Sequence, residues 1–126
     1  MTPDLFQNKN VIVQGITGSH GSFHTKAMRD YGVNIIAGTS PNKAGTTVLD
    51  IPVFSSIKDI TQELGAISTS IIFVPAPFAK DAILEAIENE VPLIICITEG
   101  IPVRDMIEVS KVLKSSSSRL IGPNCP

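Results

Sequence analysis

Tryptophan is absent from this chain of 126 residues, tyrosine occurs once and phenylalanine five times. So few rings leave little on which bases could stack, and the ten Lys and Arg residues are scattered among twelve Asp and Glu rather than gathered into a basic patch. A nucleic-acid partner is therefore not expected. Long apolar runs are missing too: residues 93–97 are typical, far short of the ~20 residues that span a bilayer, so no membrane partner is expected. The opening Met1-Thr2-Pro3-Asp4 has no basic region followed by an apolar stretch, which argues against a secretory leader. The two cysteines, Cys96 and Cys125, are too few for a disulfide framework or a metal cluster and fit a reducing compartment. Cys96 stands in an apolar run and is expected as a small core residue, whereas Cys125 stands in Gly122-Pro123-Asn124-Cys125-Pro126, at the end of a strand.

What is present is the composition of an ordinary, rather apolar globular protein, 43% hydrophobic and 17% charged with a formal charge of −2. The length predicts one domain over residues 1–126, large enough to bury a core. Strand-like runs alternate with helix-like segments throughout. Strands are expected over residues 11–14, 33–37, 51–54, 70–74, 93–98 and 120–121. Helices are expected over 20–31, from a cap at Ser55 or Ser56 to residue 64, over 78–88 and over 103–114, with Gly32 suited to the end of the first. Residues 42–47 read as an ordered loop and the serines at 115–118 as a solvated connection. In the third helix Ala79, Ala82, Ile83, Ala86 and Ile87 share one face, with Lys80, Asp81, Glu85 and Glu88 outside it. Uncharged, β-branched strands such as 70–74 belong in a sheet covered on both sides. The fold expected is therefore α/β: a Rossmann-like, doubly wound, mostly parallel sheet with helices on both faces. Ligands of such sheets gather beyond the carboxyl ends of the strands, where strand order reverses.

The most informative stretch lies there. Gly15, Gly18 and Gly21 follow a β-branched run at the spacing G-x-x-G-x-x-G and lead into a helix. Glycines let the backbone turn tightly and approach an anion, and the free N–H groups of a helix start supply donors with a partial positive charge. A pyrophosphate is the group such a turn would hold, with Thr17, Ser19 and Ser22 as hydroxyl donors, although Ser22 could instead cap the helix. Packing alone also produces glycine turns, so the end of the second strand has to arbitrate. An NAD site usually places an acid there for the ribose hydroxyls. This chain has Ala37-Gly38-Thr39-Ser40-Pro41, and the first charge met is Lys43. A lysine suits an extra phosphate on the ribose, which a carboxylate would repel. NADP and coenzyme A are thus favoured over NAD, while a solvated loop lysine is the alternative for Lys43.

Several segments then agree in order: Gly15-Ile16-Thr17-Gly18-Ser19-His20-Gly21-Ser22-Phe23-His24, Pro41-Asn42-Lys43-Ala44-Gly45-Thr46-Thr47, Val74-Pro75-Ala76-Pro77-Phe78, Ile97-Thr98-Glu99-Gly100-Ile101-Pro102 and Gly122-Pro123-Asn124-Cys125-Pro126. Together, from about Asn8 to Pro126, they resemble the amino-terminal domain of succinate–CoA ligase (succinyl-CoA synthetase) α subunits. The resemblance implies a CoA-binding domain in which Gly15, Thr17, Gly18, Ser19, His20, Gly21 and Lys43 hold the phosphates of CoA. Val74, Pro75 and Ile97 would border the adenine or the start of the pantetheine arm, and the segment of Ile97, Thr98 and Glu99 would contact the ligand. Glu99 also suits a carboxylate favoured by the dipole of the helix after Ile101-Pro102. Asn42-Lys43-Ala44 is less glycine-rich than the family's loop.

The complete enzyme of that family forms succinyl-CoA from succinate and CoA with nucleoside triphosphate hydrolysis, through a phosphohistidine, in the tricarboxylic acid cycle. The resemblance implies a β-subunit partner, magnesium–nucleotide bound only in the complete enzyme, and a phosphohistidine in a second domain after Pro126, so no residue here is expected to be catalytic. His20 belongs to the nucleotide turn and His24 reads as an inward or capping residue; neither has an evident acid partner in sequence. A bacterial cytoplasm is the expected location, with a mitochondrial matrix as the alternative. A stand-alone CoA-binding sensor or carrier is a second reading. An NADP-dependent oxidoreductase domain is a third, which leaves Ile97-Thr98-Glu99-Gly100-Ile101-Pro102 unexplained.

Overall fold

The computed structural model describes residues 9–123. Strands β1 (Val11–Gln14), β2 (Ile35–Thr39), β3 (Thr47–Val48), β4 (Ile51–Phe54), β5 (Thr69–Ile72), β6 (Leu93–Cys96) and β7 (Arg119–Ile121) form one sheet in the order β3-β4-β2-β1-β5-β6-β7. Every pairing is parallel except β3 with β4. Helices α1 (Ser19–Tyr31), α2 (Ile57–Leu64), α3 (Ala76–Glu88) and α4 (Val103–Lys114) provide the crossovers. Strand order reverses at β1, which has β2 on one side and β5 on the other. The expected doubly wound sheet is present.

The central strands β1, β2 and β5 are buried on both sides, whereas the edge strands β3 and β7 are largely open to solvent. On one face Ile12, Ala37, Ile72 and Ile94 meet Ile57 and Ile60 of α2, Ile83 and Ala86 of α3, and Val109 of α4. On the other, Val11, Val13, Ile35, Val53 and Ile71 pack with Ile16, and Met28 of α1 closes over them. Burying each such branched side chain contributes about 1.5–3 kcal/mol. The five apolar positions expected on one face of α3 are all buried. Cys96 lies in this core, 2% exposed, as expected of a small apolar residue.

Boundaries shift where local chemistry overrides the apolar pattern. β2 starts at Ile35, not residue 33, because Gly32 adopts φ 111° and the N–H of Val33 closes α1 on the Met28 carbonyl. β5 and β6 end two residues early, at Ile72 and Cys96, and α3 starts at Ala76 because Pro77 is tolerated in its first turn. Ser56 is the cap of α2, accepting from the Asp59 N–H at 3.2 Å. The loop expected at 42–47 holds through Thr46, and Thr47 opens β3, which folds back on β4 through Leu49 (φ 52°) and Asp50 (φ 66°). Arg29 of α1 donates to the Leu49 carbonyl and ties this hairpin down.

Two surface assignments also change. Glu85 is not simply outside α3, because its carboxylate accepts the N–H of Ile57 at 2.8 Å, at the amino end of α2. The serine run is not simply solvated either: Ser118 is buried with its hydroxyl on the Val91 carbonyl at 2.7 Å, and Ser116 donates to Leu113.

Thr25, fully buried in α1, has a hydroxyl without a hydrogen-bond partner among the described residues. A buried unmade hydrogen bond costs about 1–3 kcal/mol, so the near-isosteric Thr25→Val is expected to stabilise the fold by roughly 1 kcal/mol. A raised urea midpoint at constant slope would show it, and an unchanged or lowered midpoint would mean the hydroxyl is satisfied.

Candidate nucleotide-binding site

The turn from β1 to α1 occupies the point where strand order reverses. Gly15 (φ 88°) and Ile16 donate their N–H groups to the Thr39 carbonyl at 2.9 and 3.3 Å, so the end of β2 holds the turn in place. Gly18 is the cap of α1 (φ −70°, ψ 160°), and the first turn of the helix carries no acid. The earliest intrahelical bond runs from the Ser22 N–H to the Gly18 carbonyl at 2.9 Å, so the amides of Ser19, His20 and Gly21 precede it and supply the positive end of α1. Ser22 does not cap the helix, because its hydroxyl donates back to the Ser19 carbonyl at 3.3 Å.

The three glycines have different reasons to be glycine. A Cβ on Gly21 would lie 2.2 Å from the Gly15 carbonyl oxygen, and one on Gly15 would lie 2.9 Å from the Val74 nitrogen. Those two residues let α1 and β5 close on the turn. Gly18 is different: its nearest neighbour would be 3.6 Å away, an ordinary contact. Its lack of a side chain leaves the amide end of α1 open to an approaching group.

Thr17 is half-buried, and its hydroxyl lies 2.5 Å from that of Ser40, just beyond β2. Lys43 follows on an exposed turn, with its N–H on the Ser40 carbonyl at 3.4 Å and its own carbonyl accepting the Thr46 hydroxyl at 2.6 Å. Neither ion pair among the described residues engages its ammonium.

On the other side of the turn, toward β5 and β6, a cleft of about 340 Å³ gathers His20, Val74, Pro75, Ile97, Thr98 and Glu99, and adds His24, Phe73 and Ala76. His24 neither points inward nor caps the helix. It is exposed and lines the cleft, stacked on Phe73 with ring centroids 5.2 Å apart and planes at 5°, while Phe23 meets it edge-on. Thr98 braces the cleft wall by donating its hydroxyl to the Val74 carbonyl at 2.6 Å. Beneath it, burial pushes the Cys96 thiol up from its ordinary value against opposing hydrogen bonds with Thr98, so this thiol is neutral at pH 7. The acid in the first turn of α4 is Asp105, and Glu99 lies ahead of that turn, in the cleft lining.

The cleft thus unites six of the expected residues, whereas Gly15, Thr17, Gly18, Ser19 and Gly21 form the turn beside it and Lys43 stands on the β2 side. Asn124, Cys125 and Pro126 lie outside the described residues. A larger hollow of about 790 Å³ lies between the hairpin segment 44–47 and α2 and contains Asp59 and Glu63. Two carboxylates make it a poor place for a phosphate, and none of the expected residues lines it. No helix among the described residues is long and apolar enough to cross a membrane.

The family described as CoA binding domain matches residues 6–100. The succinate–CoA ligase [ADP-forming] α subunit of Staphylococcus aureus is 52% identical over all 126 residues, and that of Staphylococcus epidermidis 49%. The chain spans 41% of the length of each of these relatives. A solved protein from Pyrococcus horikoshii superposes with a TM-score of 0.76 at 26% identity, over 99% of this chain and 30% of that one.

Proposed function

Because this chain belongs to the CoA-binding domain family, we propose that the turn, Lys43 and the cleft form one site for coenzyme A and that the whole protein acts as a succinate–CoA ligase α subunit. The pyrophosphate lies on the amides of Ser19, His20 and Gly21, with Gly18 giving it access and Thr17 adding a hydroxyl. The 3′-phosphate of the ribose meets Lys43 on the β2 side. The pantetheine arm leaves toward β5 and β6 across Val74, Pro75 and Ile97, between Thr98 and Glu99, with the His24–Phe73 stack as an apolar wall. The observation that carries this reading is the topology: the anion turn sits between Lys43 and the cleft, as an extended ligand with its diphosphate in the middle requires.

The chain itself supplies binding and orientation of CoA, not the chemistry of thioester formation. In the complete enzyme that step draws on a β subunit, a magnesium–nucleoside triphosphate and a phosphohistidine, none of which these residues provide. The setting is a bacterial cytoplasm. Identity to ligase α subunits along the entire chain favours this assignment over a stand-alone carrier.

Lys43→Ala is expected to weaken CoA roughly tenfold, the low end for a hydrogen bond to a charged group at an exposed site. Dephospho-CoA, which lacks the 3′-phosphate, should bind the variant and the unsubstituted chain alike. Calorimetric titration with both ligands checks this, and an equal loss for the two would place Lys43 elsewhere on the ligand.

A further inference from the structure

We propose that Ser40 is a positioning residue of the anion site, orienting the Thr17 hydroxyl toward the bound diphosphate; the inference rests on the CoA reading above. Ser40 is 6% exposed and directly follows β2. Its backbone is committed on both sides, the N–H to the Phe54 carbonyl at 3.1 Å and the carbonyl to the Lys43 N–H at 3.4 Å. One residue therefore touches the end of β4, the Lys43 segment and, through its side chain, the glycine turn.

The side chain decides the direction of the Thr17 proton. Each hydroxyl offers one donor and can accept, so the 2.5 Å pair can be polarised either way. Thr17 is the one partner recorded for the Ser40 hydroxyl among the described residues, and a buried hydroxyl proton without an acceptor is costly. Ser40 is therefore the donor. Thr17 accepts through its oxygen, and its own proton is left to point out of the turn, toward an anion on the amides of α1. In the opposite sense Thr17 would spend its proton inward and meet a phosphate only with lone pairs. A chain running Ser40 to Thr17 to phosphate also strengthens each link by polarisation. The Lys43 segment hangs on the Ser40 carbonyl, which side-chain substitution leaves in place. The two contributions can therefore be separated.

The test is CoA and dephospho-CoA titration of the chain and of Ser40→Ala, Thr17→Val, the double variant and Ser40→Thr. Each single removal of a hydroxyl is expected to weaken both ligands about 5–10-fold. The double variant should be no weaker than the worse single, since the two hydroxyls act as one unit, and Ser40→Thr should stay within about twofold of the unsubstituted chain. Multiplying losses in the double variant, an unchanged affinity in Ser40→Ala, or a loss in Ser40→Thr as large as in Ser40→Ala overturns the proposal. If Ser40→Ala does not fold, Ser40→Cys, a near-isostere with a weak donor, replaces it; an intermediate loss is expected there and an unchanged affinity overturns the proposal. If the unsubstituted chain binds neither ligand, the CoA reading itself fails and the role of Ser40 falls with it.

Discussion

Gly21→Ala is expected to lower the melting temperature by roughly 10 °C and to remove measurable CoA binding, while Gly18→Ala leaves the melting temperature within a few degrees. The contrast follows from what a new methyl group would meet. At Gly21 it would stand 2.2 Å from the Gly15 carbonyl oxygen, 3.1 Å from the carbonyl carbon and 3.3 Å from the Ile16 Cα. All three are backbone atoms, so no rotamer change relieves the clash, and either the first turn of α1 lifts or the glycine turn opens. Both displace the amides that would hold the diphosphate. At Gly18 the backbone is ordinary and the nearest atom 3.6 Å away, so the fold accepts alanine for about 1 kcal/mol at this cap position. Its methyl group would stand where the ligand approaches, and CoA should weaken about tenfold without a matching loss of stability. Scanning calorimetry and CoA titration of the two variants read this directly. Equal behaviour of the two would mean that the glycines serve one common purpose.

Gln14→Leu is expected to cost about 2–3 kcal/mol, although leucine matches glutamine in size and the site is buried. Gln14 ends β1 at 1% exposure, donates its amide to the Ala82 carbonyl at 3.0 Å and accepts the Ser70 hydroxyl at 2.6 Å. It thereby ties the strand that leads into Gly15 to β5 on one side and α3 on the other. Leucine would strand the fully buried Ser70 hydroxyl with no acceptor. Replacing both, Gln14→Leu with Ser70→Ala, removes the orphan, so the pair should be less destabilised than the sum of the singles by about 1 kcal/mol or more. Urea unfolding of the two singles and the double measures the difference. Additive losses would show that the two side chains do not share a bond in solution.

The glycine turn, the strands around it and the buried face of α3 could be read from residue order because each depends on neighbours within a few positions. α4 was legible to its ends, Val103 and Lys114, since a proline precedes it and an apolar stripe runs its length. What escaped depends on residues far apart in sequence. The Thr17–Ser40 pair joins positions 23 residues apart, and Glu85 reaches the amino end of α2 across 28. His24 faces the cleft because Phe73, just beyond β5, offers a ring to stack on, which helical periodicity alone does not reveal. The β3–β4 hairpin was hidden for a different reason. Its turn uses Leu49 and Asp50 at positive φ where a sequence reader looks for Asn-Gly, and the Arg29 bond helps hold that conformation.

The measurement that most directly tests the central claim is calorimetric titration of this chain with CoA, with NAD as comparator. Saturable one-to-one binding of CoA, with NAD at least about tenfold weaker because the β2 end offers a lysine and no acid to the ribose, is the predicted result. Tighter binding of NAD, or no saturable binding of CoA, would contradict it.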